Sequence, residues 1–172
     1  MNRKIGTKDL LGIAARLILG GVFVYSGWVK AVAPAEEFAY AIETYRVVPA
    51  ALTMFIAVTV PWLELYLGVF LFTGVFTGSS AFCLGAMLIG FEGLLLQAII
   101  RKLPVTSCGC FGASKSHSLA HEFAQNLVLL ALAALAAKYG GKLSIDSAVD
   151  VGETATAVST RGTIPRKGDH HE

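Results

Sequence analysis

The sequence predicts an all-helical integral membrane protein, a four-helix bundle with an outward interfacial helix and a disordered C-terminal tail. Three observations lead there. Of 172 residues, 55% are hydrophobic and only 15% charged, with a mean hydropathy of +0.64. A membrane-crossing helix needs about 20 mostly apolar residues, and four such stretches can be cut from the chain. The breaks between them are short and polar or turn-forming. A formal net charge of +2, without a phosphate-cradling glycine loop or basic-aromatic interleaving, excludes nucleic acid as a partner and leaves the lipid bilayer as the chain's medium.

The first span covers about residues 10–32 and follows a basic start containing Arg3, Lys4 and Lys8. That start resembles a signal peptide, and "AVA" at 31–33 resembles a cleavage site. Pro34 would follow the cut, Lys30 sits just before it, and the apolar stretch exceeds the usual 7–15 residues or so, so the segment reads as a retained helix. In "PAEEFAYAIETYR", Pro34 fits a first helical position, Glu36 and Glu37 a first turn, and Phe38, Ile42 and Tyr45 repeat at helical spacing. This is the interfacial helix.

The second span, about 50–72, has Pro61, Trp62 and Glu64 near its middle. "TGSS" at 77–80 predicts a tight turn, so the third span, about 81–100, returns antiparallel. A polar loop, "RKLPVTSCGCFGASKSHS" at 101–118, leads to the fourth span, about 119–139, whose "LVLLALAALAA" permits close helix packing. Residues 1–139 thus form the membrane domain. Residues 140–172, rich in Gly, Ser and Thr, predict the disordered tail. The basic start places the N-terminus in the cytoplasm of a cell with an inner membrane; four spans return the C-terminus there and turn the 101–118 loop outward, toward the oxidising side. Arg101, Lys102 and Lys115 in that loop weaken the charge bias.

Four motifs occur in order: "RLILGGVFVYSGWVK", "FAYAIETYRVVP", "PWLELYLG" and "CGCFG" before the last helix. Together, over about residues 10–139, the chain resembles the DoxX/MauE family of redox-associated membrane proteins, with "CGCFG" placing it nearest the methylamine-utilisation MauE branch. The resemblance implies a four-helix protein of the cytoplasmic membrane. It also implies a part in disulfide formation or in maturing a cysteine-rich exported enzyme, as for the small subunit of methylamine dehydrogenase. Many DoxX-like chains lack paired cysteines, so the redox inference rests on Cys108 and Cys110 of this sequence.

A Cys-Gly-Cys disulfide closes a very small ring, departs from relaxed disulfide geometry and is easily reduced, while Gly109 relieves the crowded backbone. So short a loop removes almost no unfolded-state entropy, which suits thiol-disulfide exchange with a thioredoxin-like or client protein better than structural bracing. Two other readings stand beside it. One is a structural pair in a non-enzymatic assembly partner. The other is a zinc site of Cys108, Cys110, His117 and His121, against which the Cys-x-Cys spacing is tight and Ser118 looks like an N-cap leaving His117 outside the helix.

Cys83 lies roughly 25–30 Å along the third span from the loop, out of reach of the pair, and reads as a small buried hydrophobe. Electrons leaving the pair therefore need a second protein or an organic acceptor, for which a quinone is the membrane candidate. Glu92 and Glu64 fall at mid-span, where ionisable groups are costly and functional by default. Glu64 reads equally as the partner of Arg16 in a structural ion pair or as part of a proton relay. Glu92 has no evident cation at its depth and is the better proton carrier. Lys30 is expected to snorkel outward. His121, Glu122, Gln125 and Asn126 make two four-residue steps beneath the loop. His121 is a candidate for proton handling, and Glu64 with Gln125 for a quinone pocket, against plain interhelical hydrogen bonding. Trp28, Tyr45 and Trp62 read as packing or interface anchors.

Overall fold

The computed structural model describes residues 6–103 and 119–143, and all regular structure among them is helical. The elements are α1 (Thr7–Val32), α2 (Ala35–Thr44), α3 (Ala50–Thr73), α4 (Thr77–Ile100), α5 (Leu119–Tyr139) and a 3-10 turn, Gly140–Leu143. Four of them, all but α2 and the 3-10 turn, are long and apolar enough to cross a bilayer.

α1 is one unbroken helix from Thr7 to Val32. Asp9 Oδ2 accepts a hydrogen bond from Gly6 N at 3.0 Å, and Lys30 stands in the last turn, so both ends carry the charge that suits the helix dipole. Ala33 and Pro34 break the chain, and α2 starts with Pro34 as its N-cap. α2 buries Phe38, Ala39, Ala41 and Ile42 in a cluster with Ala57 of α3, while Glu36 and Glu37 face outward. Its apolar stripe is therefore spent on the bundle.

α3 carries Pro61 in its interior, where the ring leaves the carbonyl of residue 57 without its helical donor. The helix ends at Gly74, whose φ of 83° suits glycine; Gly74 N and Val75 N both donate to Phe70 O at 2.9 Å. Phe76 also adopts a left-handed conformation, and α4 begins at Thr77. The tight turn is thus Gly74–Phe76, and "TGSS", which the sequence predicts as the turn, is the first turn of α4. Thr77 and Ser80 are both 2% exposed. Their small size, which resembles turn composition, admits the neighbouring helix ends.

A long glycine seam joins α1 to α3. A Cβ added at Gly27 would meet Leu65 N and Pro61 O at 2.7 Å, and one at Gly68 would meet Val24 N at 2.8 Å. The glycines let two backbones touch, the usual device for helix association in lipid. α5 packs on α4 and α1, and around Leu19, Phe23, Leu71, Leu84, Leu88 and Leu129 the helices share one core. The outer faces carry large exposed apolar side chains such as Phe55, Phe82 and Ile89, as a lipid-facing surface requires.

At one end of the bundle, Arg16 Nη1 donates to Gly140 O at 3.1 Å. A Cβ at Gly12 would stand 2.5 Å from the backbone of Tyr139. The four residues after α5, assigned to the tail on sequence, thus form a 3-10 turn seated on α1. Cys83 is exposed on α4, which corrects its reading as a buried hydrophobe: it lies on the lipid-facing side of the helix, opposite the core-facing Leu84, Leu88 and Leu95.

Candidate functional site

The opposite end of the bundle carries α2 and both roots of the 101–118 connection. α4 closes with Leu103 N donating to Ala98 O at 3.0 Å. Leu103 and Leu119, the last and first described residues flanking the gap, pack against one cluster with Tyr45 and Ala98. Gln97 Nε2 donates to Tyr45 O at 3.4 Å, tying the end of α2 to α4. Cys108, Cys110 and His117 lie outside the described residues.

Beneath this end lies a buried polar group. Lys30 Nζ donates to Glu64 Oε2 at 2.6 Å and to Oε1 at 2.7 Å, and Ser26 Oγ donates to Oε2 at 3.1 Å. Both ionic side chains are 1% exposed. The ammonium also stands over the rings of Phe38 and Phe91, 5.2 and 5.7 Å from their centroids, within cation–π range. One lysine of α1 thereby joins α2, α3 and α4. Gly27, one turn before Lys30, makes the arrangement possible by letting α3 approach. Two expectations are corrected here: Lys30 does not snorkel outward, and Glu64 does not pair with Arg16. Arg16 lies fourteen residues earlier, about 21 Å along the helix, and holds Gly140 instead.

Ser26, Glu64 and Asn126 line, with Phe91 and other apolar side chains, a cavity of about 10 Å³. That is room for about a single water. Gln125 is half-buried and not part of the lining. Of the two polar steps on α5, Glu122 and Asn126 face inward, whereas His121 is exposed. Glu92 is buried on α4. Trp62 and Tyr66 stack at 6.1 Å on the half-exposed side of α3.

The family model for the methylamine utilisation protein MauE matches residues 8–139. The chain belongs to the MauE family. No curated protein and no solved structure matches it. The matched range takes in all four spans, α2, the Lys30–Glu64 pair and the cysteine loop, and it stops where α5 stops. This MauE-family chain is a multi-pass membrane protein by its helices.

Among the described residues no three His, Cys, Asp or Glu side chains converge as a metal site; of the zinc candidates only His121 is among them. The Lys30–Glu64 pair is the feature that sequence reading missed. Ser26 and Lys30, four apart on one face of α1, and a mid-span glutamate were legible in the sequence, but their common depth was not.

Proposed function

We propose that this MauE-family chain is a thiol-disulfide exchange protein of the cytoplasmic membrane that serves an exported protein of methylamine utilisation through Cys108 and Cys110. The observation that carries the proposal is the shared anchor of the cysteine loop. Both of its roots, Leu103 and Leu119, rest on the Tyr45–Ala98 cluster at the α2 end, so the connection that carries the two cysteines leaves from and returns to the end of the bundle opposite the one where Arg16 meets Gly140. The "CGCFG" pair and the family assignment supply the chemistry.

The exchange is a two-electron transfer between sulfurs. A client thiolate attacks the Cys108–Cys110 disulfide, a mixed disulfide forms, and one loop cysteine leaves as a thiolate. A second client thiolate then displaces the other. The client ends with one disulfide, and the pair ends reduced, having taken up two electrons and, with protonation, two protons. A thioredoxin-like exported protein in its disulfide form restores the pair by the same steps in reverse. These steps need no quinone, because both electrons pass between sulfurs.

In intact cells, a bulky, membrane-impermeant thiol reagent should label Cys108 and Cys110 only after reduction and should spare Cys83, shielded in lipid at the far end. Protection of the pair until the membrane is opened would reverse the orientation. Equal labelling with and without reductant would show that no disulfide is present and leave an assembly partner without redox chemistry.

A further inference from the structure

Glu64 is served by Lys30 and Ser26, but the second buried mid-span carboxyl has no such partners. Glu92 is 9% exposed, and neither of its carboxyl oxygens has a hydrogen-bond partner. Across the helix pair, Asn126 is 3% exposed and its amide nitrogen is buried without an acceptor. The two stand level. A Cβ built on Gly85 of α4 lies 3.7 Å from the Ala133 methyl of α5, and seven residues along each helix of this antiparallel pair brings residue 92 opposite 126. Asn126 also lines the one-water cavity with Ser26 and Glu64.

Among the described residues, the charged and titratable groups on the surrounding elements do not supply a counter-ion. Lys30 of α1 is taken up by Glu64 of α3, and Arg16 of α1 binds Gly140 at the other end. α5 contributes Glu122, an acid, at the buried face and His121 at the exposed one; α2 carries Glu36, Glu37 and Glu43, all exposed, and Tyr45, just after it, packs on Ala98. A carboxylate stripped of water with no donor is among the costliest groups a membrane interior can hold, whereas the neutral acid costs far less and gains an O–H donor.

We propose that Glu92 is a proton-binding site at the α4–α5 interface, held as the neutral acid at the level of Asn126, and that one internal water joins Asn126 to Glu64. The water accepts from the Asn126 amide and donates to the Glu64 carboxylate, which satisfies the unpartnered amide and brings the Lys30–Glu64 pair into hydrogen-bond continuity with α5. The ligand is the proton and its carrier is water. Loading is protonation of the Glu92 carboxylate by hydronium, which leaves water, and no electron moves. The site is independent of the thiol-exchange reading.

Its test uses dicyclohexylcarbodiimide, an apolar reagent that adds to protonated carboxyl groups in hydrophobic surroundings. Purified full-length protein in phosphatidylcholine vesicles at neutral pH should carry the adduct on Glu92 and not on Glu64, as read by peptide mass. The Cys108→Ser/Cys110→Ser double variant should label to the same extent, so failure of the thiol reading does not touch this one. A protonated-carboxyl stretching band in the infrared spectrum at neutral pH should be lost in Glu92→Gln, a near-isosteric change. Absence of adduct on Glu92, equal adduct on Glu64, or a carboxyl band that survives Glu92→Gln would each overturn the proposal.

Discussion

Replacing Glu64 by alanine should destabilise the bundle more than any other single change at a polar position. The substitution strands the Lys30 ammonium between the Phe38 and Phe91 rings in a site where its side chain is 1% exposed. Breaking a buried ion pair by removing one partner costs about 3–5 kcal/mol, because the remaining charge has lost both its counter-ion and its water. The cation–π contacts offset only a part of that, about 0.5–2 kcal/mol. Lys30→Met combined with Glu64→Leu removes both charges at similar volume and should recover most of the loss, since such replacements are commonly neutral or stabilising. Unfolding in detergent of the unsubstituted chain, Lys30→Met, Glu64→Leu and the Lys30→Met/Glu64→Leu double variant, compared as a double-mutant cycle, reads the coupling directly. A Glu64→Ala loss below about 1 kcal/mol, in the range of exposed pairs, would show that the pair is hydrated.

Changing either loop cysteine should abolish disulfide delivery without touching the fold. Cys108→Ser leaves Cys110, and Cys110→Ser leaves Cys108, a single sulfur that can form a mixed disulfide but cannot complete exchange. Each single variant should therefore accumulate as a covalent complex with the exported partner, while the double variant forms none and leaves the client's cysteines reduced. Neither position is within the described helices, and a pair closing so small a ring contributes almost nothing to stability, so helicity and thermal unfolding should match the unsubstituted chain. Normal client disulfides in the double variant would reduce the protein's part to assembly.

The helices were legible because lipid imposes a simple rule. A long apolar run must close its own hydrogen bonds, and the last span coincides with α5, Leu119–Tyr139, where polar loop residues give way to the Ala/Leu run. What stayed hidden depends on relative depth between helices. Pairing Lys30 with Glu64 rather than Arg16 with Glu64 requires knowing that α1 meets α3 through Gly27 at Pro61 and Leu65, and no local pattern sets that register. Cys83 illustrates the same limit: near-uniformly apolar α4 has little periodicity to say which side faces lipid. "TGSS" failed for another reason, since small polar residues serve turns and crowded helix ends alike, and only the left-handed Gly74 and Phe76 decide between them. The cysteine pair needed no register to be noticed.

The central claim is that Cys108 and Cys110 exchange disulfides rather than brace the loop, and their reduction potential tests it most directly. Full-length protein in lipid, equilibrated across thiol-disulfide buffers of defined potential and quenched with an alkylating reagent, gives the oxidised fraction of the pair by mass. Exchange proteins fall between about −120 and −270 mV, and structural disulfides below about −300 mV. A two-electron transition above about −270 mV is expected. A transition below about −300 mV, or a pair that stays reduced in every buffer, would contradict it.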